Sequence, residues 1–281
     1  MKSMKKYLLS GYGFTAEIIP EWGADISYLK YGGEDILMPT PNKKELLNNP
    51  YLHGAPLLLP ANRTVDGRFS FMGEEYTLPI NEKSTNCHIH GFLYKQKFKV
   101  LESNQTQIVL EYVNKDEIYP FPFSVLVKYE VSEDGFMSNY DIKNLSNEKM
   151  PLTFALHTTF CEPEYFRVPI SLCQERFDNC VPTGKYLPLN NLQRSYDEGT
   201  SSKNNNVFGY YSAKGHRVIV DNFEYIVSDN FTHWVVYNGC GDKGFLCIEP
   251  QCGEVNGLNG QCKILNPDES LEFKTVIRNA G

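Results

Sequence analysis

Phe123, Val125, Val127, Tyr129 and Val131 alternate with Ser124, Leu126, Lys128 and Glu130. Side chains on an extended chain point to opposite faces in turn, so this period of two predicts a strand buried on one face. Leu271, Phe273, Thr275 and Ile277 alternate with Glu272, Lys274 and Arg278 in the same way. Comparable runs cover 98–101, 107–113, 136–143, 217–227, 232–237 and 244–248. Turn formers separate them at Asp66-Gly67, Asp134-Gly135, Asn144 to Asn147 and Gly239 to Gly244. Residues 67–78 predict a hairpin turning at Gly73-Glu74. No segment keeps a helical period for several turns, and only Asn42 to Asn49 predicts a short helix, with Asn42 as its N-cap. Many antiparallel strands with few short helices make an all-β fold, a large antiparallel β-sandwich. The polar stretch Asp197 to Asn206 is expected as an exposed loop inside one domain covering 1–281, because strands resume on both sides.

A net charge of −7 with no dense Lys/Arg stripe argues against nucleic acid or an anionic membrane surface as partner. Behind the basic opening, Met1 to Lys6, the apolar stretch is only Tyr7, Leu8 and Leu9, too short for a signal-peptide core. No later run is long enough to cross a bilayer, so a cytoplasmic location is expected. The eight cysteines (87, 161, 173, 180, 240, 247, 252 and 262) include no C-x-x-C pair. Reduced, partly buried thiols are expected, not a disulfide framework or a structural zinc site. Tyr and Phe are abundant, at 18 and 17, which suits strands and also the flat faces of sugar rings.

Four places set reactive side chains in apolar or strand-like surroundings: Leu57 to Arg63, Cys87 to Phe92, Leu152 to Phe160 and Gly244 to Gln251. A histidine in a strand is more often a satisfied structural residue than a catalyst. His88 and His90 would project to one face of a strand, as a metal site begins, but no third ligand is evident and no metal is expected. Glu249 follows Phe245, Leu246, Cys247 and Ile248, a continuous apolar run that predicts a buried strand. A carboxylate there needs a partner or a chemical task, and a structural ion pair with an arginine is the plainer alternative. Pro250 is expected to stop that strand and fix the direction of Glu249. Trp234, within Phe231 to Tyr237, either belongs to the core or lies against a sugar face. There is no G-x-G-x-x-G and no Walker sequence, so no nucleotide cofactor is expected.

Asn62-Arg63 followed by the Gly67 to Tyr76 hairpin, His90-Gly91-Phe92, His157 in Phe-Ala-Leu-His-Thr-Thr-Phe, and Glu249-Pro250-Gln251 recur in this order along the chain. Over nearly its whole length the chain resembles the aldose 1-epimerases, the galactose-mutarotase-like proteins. The resemblance implies a large β-sandwich with a sugar bound on one concave face, and interconversion of the α and β anomers of a free hexose without cofactor or metal. It implies Glu249 as general base and His157 as general acid. Arg63 and His90 would hold sugar hydroxyls, with Asn62, Gln251 and Trp234 as further contacts. From ordinary titration values, near 4.3 for Glu and 6.5 for His, Glu249 is expected ionised and His157 able to carry a proton near neutrality. One feature departs from the family pattern. A substrate-binding Asp falls between the acid and the base in many members, and Asp178, Asp221 and Asp229 lie in that interval here without a matching context. Two alternatives remain: a mutarotase of a hexose 6-phosphate, which needs a cationic cluster that Arg167, Arg176 and Arg217 do not obviously form, and a non-catalytic carbohydrate-binding protein on the same scaffold. The protein is expected to be a monomer or homodimer.

Overall fold

The computed structural model describes residues 4–115, 119–239, 241 and 243–281. Two eight-stranded antiparallel sheets dominate it. The first runs, in spatial order, Lys99–Ser103, Gln107–Asn114, Phe123–Ser132, Gly135–Asn144, Ser270–Asn279, Phe223–Val227, Arg217–Val220 and Phe166–Arg167. The second runs Pro182–Pro188, Ile170–Arg176, Phe208–Ala213, His233–Tyr237, Phe245–Cys252, Phe154–Leu156 and Leu57–Leu58, with Thr159–Cys161 also paired to Phe245–Cys252. Among the described residues a four-stranded sheet formed by residues 7–35 and three two-stranded ribbons complete the architecture, an all-β antiparallel sandwich as the alternating pattern predicts.

The core explains why the alternation is so regular. Phe123, Val125, Val127, Tyr129 and Val131 are all buried, while Leu126 on the opposite face is 40% exposed. Their side chains meet those of the other sheet through an aromatic layer. Phe154 lies 5.6 Å from Tyr140 and 4.9 Å from Phe273 between ring centroids, and Tyr225 lies 6.3 Å from Trp234. Burial of such rings is the main favourable term in a fold of this kind, at roughly 25 cal/mol for each Å² of apolar surface removed from water.

Several local expectations need correction. The run 217–227 is two strands, Arg217–Val220 and Phe223–Val227, joined by a tight turn with Asp221 at φ 48°. In the early hairpin the turn residues are Met72 and Gly73, because Phe71 pairs with Glu74. A second helix, Asn191–Glu198, takes the start of the stretch expected as loop, and the Asn190/Gln193 capping box begins it. The helix at Lys43–Asn48 forms as expected, with the Asn42 side chain accepting from the Glu45 N–H at 3.0 Å.

Pro250 does not end its strand, which continues to Cys252. Backbone N–H groups two residues apart point to the same side, and the N–H of Ile248 donates to the Thr158 carbonyl at 2.9 Å. The missing N–H of Pro250 therefore faces the neighbouring chain at His157-Thr158, where strand Phe154–Leu156 has stopped and Thr159–Cys161 has not begun. A proline costs little where its neighbour has already left the ladder.

Candidate active site

That interruption shapes the site. Phe154–Leu156 pairs with the end of strand Phe245–Cys252, and Thr159–Cys161 pairs with its beginning. His157 lies in the gap, its N–H donating to the Pro56 carbonyl at 2.9 Å. A break in a ladder re-aims a side chain, and here the His157 imidazole comes to rest beside Glu249, with Nε2 3.5 Å from Oε1. Both are buried, at 7% and 2% exposure, and both line a cavity of about 570 Å³ on the second sheet. His157 Nδ1 and Glu249 Oε2 have no hydrogen-bond partner among the described protein atoms.

Arg63, Asn62 and His90 line the same cavity. Arg63 lies on strand Arg63–Val65, which pairs with Cys87–Ile89 and so places residue 63 opposite Ile89 and next to His90. His90 adopts φ 62°, leaving the strand, and its N–H donates to the Asn62 carbonyl at 2.8 Å. Gly91 is required at the next position: at φ 59° a Cβ there would fall 2.0 Å from the Leu59 carbonyl oxygen. This left-handed turn also overturns the expectation that His88 and His90 share one face. His88 instead contacts the Pro79 carbonyl through Nδ1 at 2.8 Å and does not line the cavity. The Asn62 side chain accepts from the Arg63 N–H at 3.0 Å, which holds the turn into the strand.

Trp234 and Gln251 are not at the cavity. Trp234 is fully buried in the core, its Nε1 donating to the Gly215 carbonyl at 3.2 Å. Val235, the next residue, lines the cavity instead, as the alternation along a strand requires. Gln251 is also fully buried, and its Nε2 donates to the Gly253 carbonyl at 3.0 Å. None of the three candidate aspartates reaches the site. Asp178 is exposed, Asp221 accepts from the Tyr165 N–H at 2.9 Å, and Asp229 is solvent-facing beside His216 at 3.2 Å. Among the described residues lining the cavity, Glu249 is the only carboxylate.

Three further residues complete the site. Glu82 accepts from Arg63 Nε and Nη2, each at 2.7 Å, and also from the Thr85 hydroxyl. The Tyr210 hydroxyl accepts from Arg63 Nη1 at 2.9 Å and donates to the Cys180 carbonyl at 3.2 Å. Tyr51 packs its ring 4.5 Å from His90 and 6.2 Å from His157, and His90 lies 5.1 Å from His157. Tyr51 follows the helix Lys43–Asn48, so residues 48–52 form one wall of the cavity.

Burial dominates the electrostatics. It pushes the Glu249 carboxyl up to about 8 against a smaller opposing effect of the Arg63 charge. It pushes His157 down to about 4, and His90 well below its ordinary value, helped there by the charges of His157, Arg63 and His88. At 3.5 Å the His157–Glu249 contact could be an ion pair, but both shifts favour the neutral forms, and with neither group paired beyond the other desolvation wins. The expectation of an ionised Glu249 beside a charged His157 is therefore reversed in the free protein. The Cys247 thiol comes within 4.8 Å of donor atoms of His157 and Glu249, a reach that three ligands of one divalent cation could span. Burial, helped by the Glu249 charge, pushes that thiol well above its ordinary value against a smaller opposing effect of the Thr159 hydroxyl 3.4 Å from its sulfur, so the thiolate that a metal takes is disfavoured there.

The described cysteines are all free, and Cys240 lies outside the described residues. No helix among the described residues is long and apolar enough to cross a membrane.

The aldose 1-epimerase family model matches residues 5–278. The uncharacterized protein YihR of Escherichia coli K12 is 28% identical over 138 residues, covering 48% of this chain and 44% of that protein. Galactose mutarotase of Mus musculus is 23% identical over 230 residues, covering 74% of this chain and 66% of its own length. The matches thus span about half to two thirds of these relatives. Among solved structures, a galactose mutarotase-like protein from Clostridium acetobutylicum superposes with a TM-score of 0.87 at 24% identity, covering 99% of both chains.

Proposed function

Because this chain belongs to the aldose 1-epimerase family, we propose that it is a mutarotase that interconverts the α and β anomers of an aldohexose. The observation that carries this reading is the His157–Glu249 pair, 3.5 Å apart and lining a cavity that Arg63 and His90 also line. The chain acts as one domain, a reading supported by a core cluster that runs from Leu9 to Ile277. Free cysteines support a reducing, cytoplasmic setting.

Ring opening takes the proton from the C1 hydroxyl and gives one to the ring oxygen; ring closure on the other face reverses both transfers. The site must therefore hold one transferable proton and one vacant basic position. Between about 4 and about 8 the pair meets that condition, with a protonated Glu249 and a neutral His157. Moving the one proton from Oε1 to Nε2 gives the carboxylate–imidazolium form with the same count. A C1 hydroxyl donating to Glu249 and a ring oxygen accepting from His157 both favour that second form, since hydrogen bonds to a charged group stabilise its charge. Substrate thus selects the state in which Glu249 is the base and His157 the acid.

Arg63 spends three N–H groups on Glu82 and Tyr210, which leaves two of its five for the sugar in a fixed direction. His90, neutral through burial, lines the same cavity. The test is polarimetry on freshly dissolved α-D-galactose and α-D-glucose with wild type and Glu249→Gln. Wild type should speed the approach to equilibrium and the variant should not. Equal rates from both proteins would remove Glu249 from the chemistry, and no acceleration by wild type would favour a binding protein.

A further inference from the structure

Arg63, Glu82 and His90 lie outside both large sheets. Strands Arg63–Val65 and Cys87–Ile89 form a two-stranded ribbon, and Glu82 bridges to Cys87 at its end. Glu249, by contrast, stands on a strand of the second sheet. Where Arg63 stands relative to Glu249 therefore depends on what ties the ribbon to that sheet.

Asn256 makes such a tie. The Arg63 carbonyl and the Val65 N–H lie two residues apart on one strand and face the same side. The Asn256 N–H donates to the Arg63 carbonyl at 3.0 Å, and the Val65 N–H donates to Asn256 Oδ1 at 3.0 Å. One residue thus serves that edge of the strand with its backbone and its side chain together. Asn256 comes shortly after Cys252, where the strand that carries Glu249 ends. Its own backbone is left-handed, at φ 63°, a conformation that asparagine adopts more readily than most residues.

Gln174, on strand Ile170–Arg176, holds the preceding residue in the same manner. Its Oε1 accepts from the Val255 N–H at 3.2 Å, and its Nε2 donates to the Val255 carbonyl at 3.1 Å. Gln174 is buried, so both bonds are made away from water, where losing a partner is costly. Val255 packs with Tyr210 and Val235, and Tyr210 is the residue that accepts from Arg63 Nη1. Neither Gln174 nor Asn256 lines the cavity.

Resting on the mutarotase reading, we propose that Gln174 and Asn256 are positioning residues for sugar binding. Gln174 fixes Val255, Asn256 fixes the Arg63 backbone, and together they set where the Arg63 guanidinium stands relative to Glu249. Glu82 orients the guanidinium but belongs to the ribbon's side of the site. The link to the second sheet runs through two amide side chains that take the place of a strand. Arg63 holds the sugar in ground and transition states alike, so a misplaced fork is read in KM before kcat.

The experiment measures kcat and KM for anomer exchange on α-D-galactose and α-D-glucose with wild type, Asn256→Gly, Asn256→Asp and Gln174→Met, each also in an Arg63→Lys background. Glycine accepts φ 63° without strain and lacks the side-chain acceptor, whereas aspartate keeps it. Asn256→Gly and Gln174→Met should raise KM about tenfold with kcat within about threefold. Asn256→Asp should keep KM within about twofold of wild type, since the acceptor for the Val65 N–H remains. In the Arg63→Lys background the glycine and methionine substitutions should add less than about twofold, because the contact they protect is already lost. Residues that serve only the fold would lower thermal stability and change KM equally in both backgrounds or not at all. Either of those kinetic results overturns the positioning role and leaves the mutarotase standing, and a raised KM in Asn256→Asp overturns the part given to the side-chain acceptor. Should one variant fail to fold by circular dichroism, the other decides alone. Acceleration of neither sugar by wild type overturns the mutarotase reading itself.

Discussion

Glu82 grips Arg63 at two points, taking Nε and Nη2 at 2.7 Å each. Burial alone would raise the Glu82 carboxyl, but the bonds from Arg63 and Thr85 outweigh it and hold the group below its ordinary value. The contact fixes the guanidinium plane, and it also offsets the positive charge that would otherwise help Glu249 ionise. Glu82→Gln should therefore do two things: raise KM about tenfold through the loosened fork, and move the alkaline limb of the pH profile downward as the Arg63 charge acts on Glu249 without its counter-ion. Arg63→Lys should raise KM similarly but leave that limb in place. Steady-state kinetics from pH 5 to 9 separate the two variants.

The pH profile of kcat/KM should be bell-shaped, with apparent limbs belonging to the His157–Glu249 pair. Below about 4 the pair holds two protons and no basic position is left; above about 8 it holds none and no acid is left. Replacing His157 with Asn or Glu249 with Gln should lower kcat by at least about a hundredfold and abolish the bell, while circular dichroism stays unchanged. A variant that retains most of its turnover would remove that residue from the proton relay.

Asp25 offers a separate handle on stability. It is wholly buried, and its carboxylate oxygens close no hydrogen bond, although the backbone N–H groups of Ala55 and Ile26 lie near enough to ease its ionisation. Burial wins, raising the group from 3.8 to about 7. The folded state then holds a proton that the unfolded chain has lost between these values, so the contribution is complete below 3.8 and disappears as pH rises through about 7. Its slope reaches about 1.4 kcal/mol per pH unit. Glu249 acts in the same direction and His157 in the opposite one, so the quantity to measure is the difference between wild type and Asp25→Asn in urea at each pH. That difference should shift in favour of the variant between pH 4 and pH 7. A pH-independent difference would mean that Asp25 titrates normally.

Trp234→Phe should leave sugar kinetics within about twofold, since the ring faces the core and not the cavity. It should lower stability by about 1–3 kcal/mol, because volume is lost and the Gly215 carbonyl loses its donor. A large change in KM with unchanged stability would return Trp234 to the site.

What could be read from the chain alone followed from periodicity and from the ordered motifs. Strand Phe123–Ser132 begins where the alternation begins, and its parity assigned the buried face correctly. Parity was lost in strands buried on both faces: all eight residues of Phe245–Cys252 are buried, and so are four of the five of His233–Tyr237. Trp234 and Gln251 were misplaced for that reason. Arg63, His90, His157, Asn62 and Glu249 do converge on one cavity. Glu82 carried no local signal, because it lies in the connection between two short strands and gains meaning only when the chain folds back under Arg63. Tyr51 was equally silent. The helix Asn191–Glu198, by contrast, had a legible start in the Asn190-to-Gln193 capping pair, and its last two residues fall in the stretch expected as loop.

The alternation along the strands of the second sheet carries a consequence for how such a protein can change. In His233–Tyr237 and Phe245–Cys252 the odd-numbered residues Val235, Tyr237, Phe245 and Glu249 look into the cavity, whereas Trp234, Val236, Leu246 and Ile248 belong to the hydrophobic core. Neighbouring positions on one strand thus answer to different selective pressures. Drift in ligand preference can proceed through one set while the other holds the scaffold in place, and a mutant library restricted to the cavity-facing set would explore new sugars with little loss of folded protein.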